Sequence, residues 1–206
     1  GWKFDDHTMF VRDALGFMPP ANTDVGLEAG YSVGSIDMQA AVVNGSPGGN
    51  PDDDTKVAGV VNAVGRARFG PIGAALGASG YHRPSPARDY DTAGLYGYLT
   101  WQRLTWMGEA DLVRTQDAGG PVTQGVVSSH EVSYLLRRGL ELKATYDFFD
   151  PDRHVLSGSK DRWGVGFDVM PRSFLVLEAL YRHTRVETGP ALPGGGYDEG
   201  LFQLHL

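Results

Sequence analysis

Residues 140 to 149 read LELKATYDFF. Leu140, Leu142, Ala144, Tyr146 and Phe148 are apolar, while Glu141, Lys143, Thr145 and Asp147 between them are charged or hydroxylic. A period of two belongs to a β-strand, whose side chains point alternately to its two faces. The stretch is therefore a strand with one apolar face and one polar face. Whatever lies over the polar face must be water or a hydrogen-bonding partner, because an unpaired buried polar group is costly.

The same pattern recurs along the chain. Trp163, Val165, Phe167 and Val169 oppose Gly164, Gly166 and Asp168; Leu175, Leu177, Ala179 and Tyr181 oppose Glu178 and Arg182, although Phe174, Val176 and Leu180 blur that polar face. Earlier, Val25, Leu27, Ala29 and Tyr31 oppose Glu28 and Ser32; Ile36, Met38, Ala40 and Val42 oppose Asp37 and Gln39; Ala93, Leu95, Leu99 and Trp101 oppose Thr92, Tyr96, Tyr98 and Gln102. The breaks between runs are of two kinds. Short ones fall at VGS (33–35), FGP (69–71), QRLT (102–105), RRG (137–139) and MPRS (170–173). Long ones fall at NGSPGGNPDDD (44–54), HRPSPARD (82–89), TQDAGGPVTQ (115–124), DPDRHVLSGSK (150–160) and ETGPALPGGG (187–196). Short and long alternate without exception, so consecutive hairpins turn at opposite ends of one sheet.

The predicted strands are 24–33, 35–44, 55–68, 71–82, 90–102, 104–115, 125–137, 140–149, 160–170, 173–186 and 197–206. At roughly 10 to 14 residues they exceed the usual soluble strand and match the roughly 9 to 11 residues with which a tilted strand crosses a bilayer. Composition agrees with an all-β chain: 29 glycines and 18 Tyr and Phe among 206 residues, with 41% hydrophobic and 21% charged residues. Cysteine is absent, which excludes disulfides, thiolate metal sites and a cysteine nucleophile. The net charge of -7 argues against nucleic acid as a partner. No apolar run approaches the roughly 18 to 20 residues of a membrane helix, which leaves strands as the only means of crossing.

A soluble sandwich also alternates, so the polar faces decide between the two. They hold Gly, Ser, Thr, Tyr and charges of both signs, as a hydrated lumen would. Tyr31, Trp101, Trp106, Tyr146, Phe148, Trp163 and Tyr181 fall near strand ends on the apolar face, where aromatic girdles sit. Hairpin connectivity without a crossover favours a meander closed into a barrel. The reading is an all-β, antiparallel, up-and-down transmembrane β-barrel of about eleven or twelve strands, forming a single domain over 1–206.

Together with DDHTMFVRDALGF (5–17), DVGLEAGYSVGSIDMQAAVVNG (24–45) and KATYDFFDPD (143–152), this ensemble resembles the outer-membrane porins of Gram-negative cells. More narrowly it is similar to the porin-like barrels encoded near multihaem c-type cytochromes. The resemblance implies a bacterial outer-membrane location, lipid and small polar solutes as partners, no enzymatic activity, and a multihaem cytochrome as a further partner if the barrel is a sheath. Relatives of about twice this length imply that the chain is the C-terminal half of a larger barrel. A small barrel of about twelve strands is the alternative, if Trp2 to Phe10 adds an ascending strand. The final stretch YDEGLFQLHL (197–206) alternates to the end, with Phe202, Leu204 and Leu206 toward lipid and Gln203 and His205 toward the lumen. Its free edge is expected to close the barrel against the first strand.

No residue set carries an obvious reaction. His7, His82, His130, His154, His183 and His205 show no metal-ligand spacing and read as loop and lumen histidines, and CxxCH haem attachment is impossible, so no cofactor or metal is expected. Asp52, Asp53 and Asp54 lack the spacing of a calcium loop and read as solvated; DPDRH (150–154) reads the same way. Ser129 and His130 are strand neighbours and so point to opposite faces, a poor arrangement for a nucleophile and its base. GPALPGGG (189–196) is a loop with no GK[ST] after it, not a phosphate cradle. The candidate pore-lining residues are the polar ones of the inner face: Glu28, Asp37, Gln39, Arg66, Arg68, Glu109, Asp111, Glu131, Arg137, Glu141, Lys143, Asp147, Asp168, Glu178 and Arg182. They set selectivity through their field or pair across strands.

Overall fold

The computed structural model describes residues 11, 24–45, 55–155, 157–172, 175–187 and 194–205. Eleven strands follow one another: β1 (Gly26–Val33), β2 (Ile36–Val43), β3 (Ala58–Phe69), β4 (Ile72–Arg83), β5 (Arg88–Trp101), β6 (Leu104–Asp117), β7 (Val122–Arg137), β8 (Leu140–Asp150), β9 (Lys160–Arg172), β10 (Leu175–Val186) and β11 (Gly195–His205). They form one sheet in sequence order, and every adjacent pair is antiparallel. The expected antiparallel meander is what the chain builds.

Four of the tight connections, β1–β2, β3–β4, β5–β6 and β7–β8, leave only two residues between strands. Two-residue hairpins whose twist matches that of the strands need positive φ, and Gly34 and Gly70 supply it at +58° and +59°. Gln102 takes the same role at φ +54° without being glycine. The longer connections lie at the opposite end of the sheet.

Several strands run past their expected ends at the long-loop side. β5 starts at Arg88, β7 at Val122 and β11 at Gly195. The reading from sequence stopped each strand where apolar alternation stopped, but backbone pairing needs no apolar side chain. Arg88 pairs with Asp117 and Gln116 with Val122 in the ladder, beyond the expected ends of these strands.

Register assigns every strand's faces, since residues directly opposite each other point to the same side. Leu27, Met38, Val61, Leu76, Leu95, Leu112, Val132, Leu142, Phe167, Leu177 and Phe202 share the outer face. This face is uncovered: Leu76 is 69% exposed and Phe202 84%. Among the described residues only Val11, Ala58, Val127 and Leu180 are buried hydrophobics. A sandwich would bury its apolar faces against each other in a core about 10 Å thick, and none is formed among the described residues. An apolar band of this extent facing outward fits hydrocarbon, not water.

The aromatic positions form two belts on that face. Tyr31, Phe69, Trp101, Trp106 and Tyr134 lie toward the tight turns, and Tyr146, Trp163 and Tyr181 toward the long loops. Trp163 and Tyr181 meet edge to face with ring centroids 5.8 Å apart.

Among the described residues β1 pairs only with β2 and β11 only with β10, and no ladder joins β1 to β11 as the expected seam would. Residues 2–10, where an additional strand was expected, lie outside the described residues, as does Leu206.

Candidate functional site

The inner face gathers the polar halves of all eleven strands. The register places Glu28, Asp37, Gln39, Arg66, Arg68, Glu109, Asp111, Glu131, Glu141, Lys143, Asp147, Asp168, Glu178 and Arg182 on it together. Arg137 is the exception among the expected residues. A register shift between Leu135 and Arg137 puts Arg137 opposite Leu140, on the parity of the outer face at a tight turn. A bulge adds one residue and flips every side chain after it, and strict alternation in the sequence does not show it.

Three groups of charges pair across strands. On β2 and β3, Arg66 is ion-paired with Asp37. On β8, β9 and β10, Lys143 binds Glu178 and lies 3.4 Å from Asp168, with its side chain only 7% exposed. Nearer the long loops, Asp147 is 2% exposed and fully engaged. Ser129 Oγ donates to its Oδ1 at 2.5 Å, Arg162 Nε donates to its Oδ2 at 2.7 Å, and Arg162 Nη2 lies 2.7 Å from that same oxygen. Hydrogen bonds to an ionised carboxylate from a cation are roughly twice as strong as neutral ones. Arg162 was not among the expected residues, yet its parity with Gly164 and Asp168 placed it on the polar face.

Glycines on the inner face let neighbouring side chains lie flat. A Cβ at Gly77 would overlap the Tyr96 ring. With none there, Tyr96 reaches across β4 and its Oη donates to Asn62 Oδ1 on β3 at 2.6 Å. Asp111 occupies the space a side chain at Gly94 would take. Leu180, which blurred the polar face in the sequence, packs over Gly166 and is buried. One apolar patch interrupts the wall: Val11 packs on Val127, with Phe149 beside it, so residue 11 of the chain itself covers part of the inner face of β7 and β8.

His154 lies in the β8–β9 loop as expected, whereas His82, His130 and His183 are on the outer face and not in the lumen. His82 Nδ1 is 2.5 Å from Asp91, which also accepts from Arg114 at 2.9 Å, and His183 Nδ1 is 2.7 Å from Asp198. These groups sit on the outer face beyond the apolar band. His130 is on the outer face too, stacked on Trp106 with centroids 6.0 Å apart. Ser129 points inward to Asp147, so the serine and histidine face opposite sides as expected. Asp52, Asp53 and Asp54 lie outside the described residues.

Toward the tight turns the inner face encloses a cavity of about 780 Å³. Arg66, Arg68 and Tyr98 line one part of it, and Glu131, Glu141 and Asp168 another. The wall toward the tight turns thus mixes charged and hydroxylic side chains with Met107 and Met170, with room for water and small solutes.

No family model matches the chain. No curated protein matches it either. Solved structures do. An anion-selective porin from Comamonas acidovorans superposes with a TM-score of 0.61 at 14% identity, covering 84% of this chain and 53% of that one. The outer-membrane OmpT of Vibrio cholerae gives 0.58 at 13% identity, covering 86% and 61%. A further porin gives 0.59 at 13% identity, covering 87% and 61%. The chain spans between about half and two thirds of the length of these proteins. With apolar residues outward, charges inward and these superpositions, its fold is that of the outer-membrane porin β-barrels.

Proposed function

We propose that the chain forms the wall of a passive diffusion channel for small polar solutes in the outer membrane of a Gram-negative cell. The observation that carries this reading is the inversion of the usual protein: large apolar side chains uncovered on the outside, and paired charges around a cavity inside. We read it as a channel and not an enzyme. The inner-wall acids Asp147 and Glu178 are held by Arg162 and Lys143, and among the described residues the Ser129 hydroxyl donates to that same Asp147, whose negative charge Arg162 already holds. The sheath around multihaem cytochromes implied by the resemblance gains no support from the described residues.

Planar-bilayer recording tests the proposal. The intact protein, added without any partner, is expected to insert in discrete steps of steady, ohmic conductance. Insertion verified by protease protection but without conductance steps would overturn the channel reading. Copurification with a haem protein in that case would point to the sheath.

A further inference from the structure

Resting on the channel reading, the inner wall divides into a charged part and a neutral one. β8 brings Glu141, Lys143 and Asp147 inward, and β10 brings Glu178 and Arg182. From Gly73 to Tyr81 on β4 and from Tyr90 to Thr100 on β5, by contrast, no inner-face position carries a charge. Tyr81, Tyr90, Tyr96 and Tyr98 stand there instead. Charged side chains border this stripe: Arg66 and Arg68 on β3, Glu109 and Asp111 on β6, and Asp24 and Arg83 toward the long loops.

The rings are placed as surfaces. Tyr96 lies over Gly77, where a Cβ would overlap the ring, and its Oη donates to Asn62 Oδ1 at 2.6 Å. The missing side chain lets the ring lie along the wall, and the hydrogen bond fixes it there. Tyr81 and Tyr90 meet edge to face with centroids 6.1 Å apart, and the Arg83 guanidinium is 5.5 Å from the Tyr90 centroid. Tyr98 lines the cavity toward the tight turns. Tyr90 and Tyr98 are eight residues apart, so the series extends about 27 Å along β5. Between its upper and lower rings come Ser79 and Thr92, while Asp111 fills the space over Gly94 and is itself buried.

A tyrosine ring offers an apolar π-face with a hydroxyl at its rim. A sugar ring is its complement, with C–H groups on its faces and hydroxyls around its edge. Simple ions gain little from a neutral strip. Hydroxyls such as those of Ser79 and Thr92 exchange hydrogen bonds with a sugar's hydroxyls as they do with water. A ring already held in place, as Tyr96 is, loses little further freedom when a solute stacks on it.

We propose that this stripe is a sliding surface for neutral linear saccharides, whose successive sugar rings stack on the tyrosines on the way from the long loops to the cavity.

Interruption of the ohmic current through the intact protein in planar bilayers tests this with maltohexaose, and with a poly(ethylene glycol) of matched hydrodynamic size. Maltohexaose is expected to interrupt the current saturably, and the polyether is not. Tyr96→Ala and Tyr98→Ala are each expected to weaken the affinity for maltohexaose about fivefold, the scale of one lost ring contact. Tyr96→Phe, which keeps the ring, is expected to retain the affinity of the unaltered protein. So is Tyr197→Ala, which removes an inner-face tyrosine of β11 away from the stripe. The open-channel current of each variant reports that it has folded. Equal interruption by the polyether, none by either solute, or unchanged affinity in both Tyr96→Ala and Tyr98→Ala would overturn the saccharide surface while the steady current left the channel standing. Absence of conductance in the unaltered protein would overturn the channel reading and this inference with it.

Discussion

Replacing Asp147 with alanine is expected to destabilise the folded protein by about 3 kcal/mol, the scale of breaking a buried ion pair from one side. Asp147 is 2% exposed, and its removal takes from the Arg162 guanidinium and the Ser129 hydroxyl the carboxylate they share. The cost is that of a largely buried guanidinium deprived of this carboxylate, more than the worth of the pair itself. Asp147→Leu combined with Arg162→Met is therefore expected to recover part of the loss, since it removes both charges. Urea unfolding in lipid vesicles, followed by tryptophan fluorescence, measures each variant. A loss under about 0.5 kcal/mol for Asp147→Ala, the range of an ordinary surface substitution, would mean the pair is solvated and the inner wall is not packed as described.

Leu76→Arg is expected to cost about 2 to 4 kcal/mol, the penalty for a cation on the lipid face near mid-bilayer. Leu76 is central in the apolar band, with Gly65 and Gly97 opposite it on the neighbouring strands. Its side chain touches little protein, so packing loss cannot supply a penalty of that size. If the outer face were in water, an arginine there would change stability by no more than about 0.5 kcal/mol. Gln39→Arg, on the exposed inner face of β2, is the comparison, with a change expected to stay within about 0.5 kcal/mol. The same unfolding measurement reads both. Equal, small effects would remove the membrane from the account.

The two substitutions draw on different levels of legibility. Leu76 could be assigned to the outer face from alternation alone, because the side-chain period of a strand is fixed by the backbone. The alternation of short and long breaks likewise gave the sheet order before any pairing was known. Arg162 was legible in principle, being in phase with Asp168, but its bond to Asp147 depends on the register of β8 against β9, which no local pattern states. Arg137 was misplaced because a bulge changes parity without changing composition. His130 was taken for a loop or lumen residue because it is polar, whereas its strand carries it outward onto the face of Trp106. The cavity was not legible at all: Arg68 and Glu141 are far apart in sequence, and only the curvature of the intervening strands brings them to one space. The partner of the final strand was not legible: Phe202 and Leu204 point outward as expected, and the ladders among the described residues pair β11 with β10 alone.

The stretch LELKATYDFF supports the most direct test of the central claim, that one face of each strand meets lipid and the other meets water. The chain has no cysteine, so single cysteines introduced at positions 140 to 149 can each carry one nitroxide label without background. In proteoliposomes, labels at 142, 144, 146 and 148 are expected to collide preferentially with oxygen, which concentrates in hydrocarbon. Labels at 141, 143, 145 and 147 are expected to favour a water-soluble nickel chelate, or neither reagent where the wall is packed. That period of two is what the account predicts; nickel accessibility at 142, 144, 146 and 148, or no alternation at all, would contradict it.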